Sequence, residues 1–282
     1  MPVPRVFHPL LLRIALVAIV PTAVVLWAFG VPAAVVVGAG LVAVELWRVR
    51  RAVVGGTPAE VAFVPTTPAD HPWLDGELFR EDLRELATLG FHPIADYSVA
   101  YPGAPRGFAR VLVDPRRRVY AEVNQVRQGA AVLPVATTFE SVLTDDWSLQ
   151  TTTREPMPVA YAFMRSPRTI WRSRPDAALA DLLDDHLALR EDVCRDLGLT
   201  PAGEGTLEGY FNVRREHHRR RAVASRRTHV VVGIARGLRC ERRPRHEWLG
   251  AYPAARRRAA APPPRTSPVP SARGAGAGPA AR

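Results

Sequence analysis

Apolar residues fill the chain from Ile14 to Val44, a run of thirty-one positions that holds no charged side chain. Gly30 and Pro32 interrupt this run near its middle, where such residues favour a turn. About 20 helical residues cross the roughly 30 Å core of a bilayer, so one straight helix over the whole run would be too long. The pattern therefore predicts a hairpin of two transmembrane helices, at about 10–29 and 32–47, within residues 1–51.

Two other interpretations fit the same residues. Residues 1–13 and 14–29 resemble the basic and apolar regions of a secretory signal peptide, although the second apolar segment would still leave an anchor after cleavage. One long span that is kinked or tilted is the other alternative.

The ends of the hairpin carry aromatic and basic residues. Indole rings are stable at the membrane–water boundary, and arginines concentrate on the cytoplasmic side. The residues that we expect at these interfaces are Trp27, Trp47, Arg48, Arg50 and Arg51. Because the connecting turn is uncharged, the sequence predicts a multi-pass protein of the inner (cytoplasmic) membrane, with the lipid bilayer as its partner and both termini in the cytoplasm.

The pattern changes after a Pro/Gly linker over 52–74. Leucines at helical spacing predict a helix from Asp75 to Leu89, and from Phe91 to Ser173 the period of apolar residues becomes two. Tight turns between short strands favour an antiparallel β-meander. The predicted strands are Phe108–Val113, Arg118–Val123, Ala136–Leu143, Trp147–Thr153 and Val159–Met164, the last of which Thr169–Arg172 would continue.

Two more helices follow the strands. One is predicted to start at Asp176 and end at Leu197, and the other is Arg-rich and spans about 206–236. Residues 251–282 consist mainly of Ala, Pro, Arg and Gly without an acid, which predicts a disordered tail. The fold class that follows is a membrane-anchored α+β protein, with a cytoplasmic domain over 75–250 in which helices flank an antiparallel meander.

Positive charge is concentrated at the C-terminal end. Residues 1–213 hold 20 arginines and 24 acids, whereas residues 214–282 hold 18 arginines and three acids. The chain has no lysine, which excludes a Walker A lysine, a Schiff-base lysine and the strand lysine of protein kinases.

Four groups of side chains were considered for chemistry, each with a structural alternative. Asp181 and Asp185 share a helix face that suits Mg²⁺ or solvent, and the adjacent imidazoles of His217 and His218 point about 100° apart. Cys194 borders an apolar stripe, where cysteine usually packs as a core residue. The strand threonines, which suit a ligand pocket or simply the strand, are Thr137, Thr138, Thr151, Thr152 and Thr153. No cofactor or metal is expected from these groups.

The Arg-rich helix is the remaining signal. An ordinary solvated helix, contact with anionic lipid headgroups and nucleic-acid binding compete, and the lack of interleaved aromatics disfavours nucleic acid. The residues that would meet an anionic surface are Arg214, Arg215, Arg219, Arg220 and Arg221.

The sequence carries no recognised catalytic motif, so we favour a membrane-tethered, non-catalytic interaction or sensor module. An enzyme acting at the membrane surface is the first alternative, and an electrostatic adaptor for anionic lipid or nucleic acid through 214–227 is the second. A converging cluster of buried ionisable groups in a pocket would favour the enzyme.

Overall fold

A computed structural model describes residues 6–100, 106–128 and 130–260, and shows an α+β chain with two N-terminal apolar helices and a mixed sheet. The helices of this described part are α1 (Phe7–Phe29), α2 (Val31–Gly55), α3 (Gly76–Thr88), α4 (Pro158–Phe163), α5 (Leu179–Leu197), α6 (Leu207–Arg227), α7 (Val230–Arg242) and α8 (Tyr252–Ala259). The strands are β1 (Ala62–Pro65), β2 (His92–Ala100), β3 (Arg106–Asp114), β4 (Val119–Gln128), β5 (Ala131–Val132), β6 (Ala136–Val142), β7 (Ser148–Thr152), β8 (Thr169–Ser173) and β9 (Glu247–Trp248).

The strands form one sheet in the order β1-β2-β3-β4-β6-β7-β8-β9, and β5 extends β4. All neighbouring pairs are antiparallel except β7 and β8, which run parallel. A parallel pair needs a crossover connection, which the segment containing α4 supplies. The meander predicted over β3, β4, β6 and β7 is confirmed, and the sheet as a whole is mixed rather than purely antiparallel.

Helices cover both faces of the sheet. On one face, α3 and α5 bury their leucine stripes against apolar side chains of β3, β4 and β6, including Phe108, Ala121 and Phe139. On the other face, α6 begins its cover with Tyr210, which packs against Tyr97 and Tyr120. Burial on both faces leaves the side chains that alternate along the central strands enclosed, whether they are apolar or polar.

The two apolar helices pack against each other as a hairpin, and Gly30 with a φ of 81° makes the turn between them. Each is long and apolar enough to cross a bilayer, with mean hydropathies of 2.4 for α1 and 1.6 for α2. The prediction of two such helices is confirmed. The second helix extends beyond the predicted end at Trp47 to Gly55, and so carries the chain from the apolar run toward the domain.

The base of this hairpin is joined to α4 and α7. Phe7 stacks on Phe163 at 6.4 Å between ring centroids, and a Cβ added at Gly237 would overlap the Phe7 ring. The carboxylate of Glu241 accepts hydrogen bonds from the backbone N–H groups of Val6 and Phe7, where α1 begins. These contacts tie the first residues of the hairpin to a helix more than 200 positions away in the chain.

Several predicted elements differ from the observed ones. The run Val159–Met164 is not a strand, because Pro158 starts a helix there and the strand Thr169–Ser173 follows separately. α5 begins at Leu179, so Asp176 lies before it and does not cap it. The single helix expected over 206–236 is broken between Arg227 and Val230, because α7 turns to pack on the hairpin.

The start of the expected disordered tail is also wrong. Residues Tyr252–Ala259 form α8, because the ring of Tyr252 packs with Leu149, Ile170 and Val193. The rest of that predicted tail, 261–282, lies outside the described residues.

Candidate functional site

Polar side chains line up across four neighbouring strands on the face that α6 covers. The registers place Glu122 opposite Thr138, Thr138 opposite Thr152, and Glu140 opposite Gln150. On the next strand, β8, Trp171 lies opposite Gln150. Because side chains alternate along strands, this row is the counterpart of the apolar row that faces α3 and α5.

The helix above this row turns a polar stripe toward it. Tyr210, Arg214, His217 and Arg221 recur at steps of four, three and four residues, which places them on one side of α6. Tyr210 and His217 are buried, and the Arg214 side chain is only 15% exposed. The interface between α6 and the sheet is therefore built on charges and hydrogen bonds rather than on an apolar stripe.

Glu122 is the best-satisfied group in this interface. The hydroxyls of Tyr97, at 2.7 Å, and of Tyr210 donate to its Oε2, and Asn124 donates to its other oxygen. The guanidinium of Arg214 lies 3.4 Å from Oε2. Burial alone raises the pKa of this carboxyl, but Arg214 and the hydroxyls outweigh burial and hold the pKa below its usual range. Glu122 is therefore an anion inside the domain.

Glu140 lies on the same face and has the opposite character. Its Oε1 has no hydrogen-bond partner among the described residues, and Arg214 is 3.9 Å from its Oε2. Burial raises the pKa of Glu140 to about 7, with repulsion from Glu122 adding to the rise and Arg214 opposing it. Glu140 therefore gains and loses its proton near neutral pH.

The proton of Glu140 has a definite neighbour in His217. Nδ1 of His217 lies 3.0 Å from Oε1 of Glu140 and 3.1 Å from the amide nitrogen of Gln150. When that amide donates to Nδ1, the ring proton sits on Nε2 and is donated to Ser148 Oγ at 2.9 Å. Burial and the charge of Arg221 lower the pKa of His217, so the imidazole is neutral. In this tautomer Nδ1 offers no hydrogen to Oε1 of Glu140, which together with burial favours the neutral acid at Glu140.

A cavity of about 440 Å³ opens beside this network. Apolar side chains such as Val126, Leu133 and Met157 form part of its wall, and polar groups of the strands form another part. Among the described residues that line it are the carboxylates Glu122 and Glu155 and five arginines, namely Arg154, Arg165, Arg214, Arg220 and Arg221. The volume and the mixed lining are typical of small-molecule sites.

Three of these arginines are held in unusual surroundings. Arg214 Nε is buried and has no hydrogen-bond partner among the described residues. Arg165 lies between the rings of Tyr161 and Trp248, at 4.3 Å from each centroid. Burial lowers the pKa of Arg154, whose guanidinium donates to Asn124. All three cations line the cavity, and Arg214 has a donor left for an acceptor.

The side chains that the sequence suggested as metal ligands do not form a cluster among the described residues. Asp185 pairs with Arg174, and His186 is buried, with its two ring nitrogens next to the hydroxyls of Thr151 and Ser141 at 3.0 and 2.8 Å. Burial lowers the pKa of His186 to about 3, with Arg190 adding to the effect. In the part of the chain that the structure describes, no three His, Cys, Asp or Glu side chains are grouped to hold a metal ion.

The threonine candidates divide between the two faces of the sheet. Thr138 and Thr152 line the cavity, and their hydroxyls are 2.8 Å apart. Thr137 faces the opposite side and donates to Asp82 at 2.6 Å, and Thr151 meets His186. Cys194 packs beside the core of α5, where burial raises the pKa of its thiol and disfavours the thiolate.

The arginines expected to meet an anionic surface do not share one direction. Arg214 points into the domain, and Arg220 pairs with Glu216 and Asp146. The structure places the remaining members at the surface or the cavity wall, with Arg215 and Arg219 exposed and Arg221 lining the cavity.

At the hairpin, Trp27 and Trp47 are 90% and 56% exposed, and Arg51 lies over the Trp47 ring at 5.4 Å. Arg50 donates to the carbonyl of Arg226 at 3.0 Å. Glu45 is buried between Arg13 and Arg48, at 3.0 and 2.5 Å. The charge of this carboxylate is therefore compensated by two ion pairs.

The sequence analysis missed Glu122, Glu140, Gln150 and Arg154 as site residues. On its own, each acid alternates with apolar neighbours as solvent-facing residues do. The available signal was the spacing of Tyr210, Arg214, His217 and Arg221, which is the spacing of a buried helix stripe.

Comparison of the chain with protein-family models, with curated proteins and with solved structures finds no match.

Proposed function

We propose that this protein is a membrane-tethered, non-catalytic sensor module that binds a small organic anion in the cavity between α6 and the sheet. The observation that carries the proposal is the buried Arg214, whose Nε lacks a partner among the described residues in a cavity lined by five arginines and two carboxylates. An anionic oxygen would complete this donor. The apolar part of the wall suits a ligand that also has a hydrocarbon or ring portion.

The membrane part of the proposal is supported by the two apolar helices and by the arginines near their outer ends. We place the hairpin in the inner membrane as a multi-pass anchor with both termini and the domain in the cytoplasm, following the positive-inside rule. Resistance of the full chain to alkaline carbonate extraction, together with fluorescence of green fluorescent protein fused to either terminus, tests this topology. Extraction into the soluble fraction would contradict it.

Ligand binding is tested by thermal unfolding of the detergent-solubilised protein with organic anions and their neutral analogues, beginning with benzoate against benzamide and citrate against glycerol. We expect an anion that binds to raise Tm and its neutral analogue to leave it unchanged. Leu133→Trp fills the cavity and should abolish the shift. Val132→Trp is the matched control, because Val132 is exposed and outside the wall.

Mass spectrometry of small molecules that copurify with the protein extends the search to anions of the host cell. Equal shifts by an anion and its neutral analogue would contradict anion recognition, as would a shift that survives Leu133→Trp. If no small molecule copurifies with the protein and no anion raises its Tm, the proposal is contradicted altogether.

A second candidate, an enzyme at the membrane surface, is favoured by the buried ionisable groups that converge beside the cavity, including Glu122, Glu140 and His217. Ser148 Oγ, His217 and Glu140 follow one another at 2.9 and 3.0 Å, an arrangement similar to that of serine hydrolases. However, the Nε2 hydrogen of His217 points at Ser148 in the tautomer described above, and Ser148 is 3% exposed. A base for Ser148 would need the opposite tautomer, so binding is the better-supported function.

Labelling with a fluorophosphonate separates the two candidates. The binding module predicts no label on the wild-type protein, with Ser148→Ala as the reference. Label that appears on the wild type and disappears in Ser148→Ala would establish a reactive serine and overturn the non-catalytic assignment.

A further inference from the structure

A second concave surface lies between α6, α7 and the segment before β8. This groove has a volume of about 540 Å³ and shares Arg165, Ser166 and Arg220 with the cavity wall. Six arginines are among its described lining residues, namely Arg165, Arg168, Arg219, Arg220, Arg227 and Arg236.

The described lining of the groove holds more arginines than acidic residues. Asp146 and Glu216 are the carboxylates among the described lining residues. Glu216 forms ion pairs with Arg219 and Arg220 at 2.6 to 2.7 Å, and these contacts lower its pKa to about 2. Asp146 lies 3.8 Å from Arg168 and 3.7 Å from Arg220. The acids of the groove are therefore already engaged.

Three of the six arginines make no ion pair with any residue that the structure describes, namely Arg165, Arg227 and Arg236. Arg165 lies between two aromatic rings, and the like-charged Arg236 is close to it. Burial lowers the pKa of Arg165, and the charge of Arg236 lowers it further. Like charges gathered in a groove are stabilised by an anion that lies between them.

The groove lies near the base of the hairpin, because the helices that line it contact α2. Arg50 of α2 bonds to the carbonyl of Arg226, and Thr57 bonds to Ser225 at 3.2 Å, so the end of α6 is fastened to α2. Val230 and Ile234 of α7 pack in the same cluster as Val49 and Val53. From Trp47 to Val53 a helix rises about 9 Å, which is close to the depth of one headgroup layer, about 5 to 8 Å.

We infer that the groove is a binding site for the phosphate of an anionic lipid headgroup, taken from the leaflet that the hairpin leaves. The inference rests on the membrane part of the proposed function and does not depend on the cavity ligand. Phosphate is the chemistry that planar, bidentate guanidinium groups recognise, and lipid is the source that the attachment to the hairpin favours.

The test uses the full chain in nanodiscs made from equal amounts of phosphatidylcholine and phosphatidylglycerol. After mild detergent extraction, lipids retained by the protein are quantified by mass spectrometry. We expect phosphatidylglycerol to be enriched in the wild type, and we expect the double variant Arg227→Gln/Arg236→Gln to reduce the enrichment about tenfold. The matched control, Arg257→Gln/Arg258→Gln, removes the same charge from exposed positions of α8 and should keep the wild-type enrichment.

Equal enrichment in the wild type and the groove variant would overturn the inference. A second arm adds inorganic phosphate to the detergent-solubilised protein and follows Tm. A rise that requires Arg227 and Arg236, without any enrichment of phosphatidylglycerol, would show a site for free phosphate and contradict the lipid source. Failure of the chain to insert into nanodiscs would refute the membrane anchor and this site with it, whereas failure of cavity ligands would leave the site in place.

Discussion

Glu122 and Glu140 occupy one face of adjacent strands, yet their surroundings shift their pKa values in opposite directions. Glu122 receives two tyrosine hydroxyls, an amide and Arg214, whereas Glu140 has one hydrogen bond from Gln150 and a more distant Arg214, and its Oε1 meets no hydrogen-bond donor among the described residues. Hydrogen bonds to the charged form and an opposite charge favour ionisation, while burial without them favours the neutral acid. A difference of a few hydrogen bonds thus separates an anion from a group that titrates near pH 7.

The raised pKa of Glu140 makes stability depend on pH. The unfolded carboxyl has a pKa of about 4.5 and the folded one about 7, so stabilisation is complete below the lower value and is lost as the pH rises through the upper one. We expect Glu140→Gln, which stays neutral, to gain stability relative to the wild type between pH 5 and 8, by up to about 3 kcal/mol. Thermal unfolding of the two solubilised proteins across this range measures the gain.

The buried histidines act in the opposite direction. Because burial lowers the pKa values of His186 and His217, the stability that they contribute is present above their unfolded pKa of about 6.5 and is lost as the pH falls. The His186 contribution is common to the wild type and Glu140→Gln, because His186 contacts Ser141 and Thr151, and Glu140→Asp would separate the contribution of His217, which contacts Glu140. A difference in Tm that stays constant from pH 5 to 8 would contradict the assignment.

Among the elements, α6 shows most clearly what local sequence does and does not reveal. Its start was predicted from Thr206, which caps the helix by accepting from the N–H of Gly209 at 3.0 Å. Its end and its role were not predicted, because both depend on partners far away in the chain. Arg214 looks like one member of a solvated basic run, and only the fold brings Glu122 beneath it.

In the rest of the fold, too, features set by neighbouring residues could be predicted and features set by distant partners could not. Strands β3, β4, β6 and β7 follow from alternation and turn residues, which are properties of neighbouring positions. α4 was predicted as a strand, because an apolar run of six residues suits either element and periodicity does not separate them. The cavity could not be predicted, since its walls come from β4, α4 and α6.

The pairing of α6 with the sheet gives a prediction for Arg214. Arg214→Gln leaves Glu122 buried without its cation, and we expect a loss of about 3 to 5 kcal/mol in the free energy of unfolding. Glu122→Gln combined with Arg214→Gln should cost less than the sum of the two single changes, because the double variant holds neither charge. Denaturant unfolding of the four proteins measures this coupling, and strictly additive losses would exclude the ion pair as a stabilising contact.

For the molecule as a whole, the joint between the hairpin and the domain depends on small residues. Gly237 lies against the ring of Phe7, and Gly233 lies against the ring of Phe163. Glu241 completes the joint by accepting from the N–H groups of Val6 and Phe7, where its negative charge also interacts favourably with the positive end of the α1 dipole. Contacts from α4, α6 and α7 thus join the domain to the hairpin, and those of α7 are the ones that depend on the absence of a side chain at a glycine.

A methyl group tests this joint. Gly237→Ala places a Cβ inside the Phe7 ring, so we expect a loss of about 1 to 3 kcal/mol from overpacking, in spite of the better helix propensity of alanine. Gly40→Ala is the matched control, because a Cβ at Gly40 of α2 meets no described atom within 4 Å. Thermal unfolding in detergent should show a lower Tm for the first variant only, and equal values would mean that the two elements are not packed as described.

Arg165, Ser166 and Arg220 belong to two walls at once, since they line both the cavity and the groove. A ligand that pairs with one of these side chains in one compartment would change what that side chain offers to the other. Linkage requires such an influence to be mutual, so that the composition of the leaflet would tune the affinity for a dissolved metabolite by the same factor as the metabolite tunes lipid capture. With the proposed function and the inferred lipid site both in place, the chain would respond to the membrane and to the solution together.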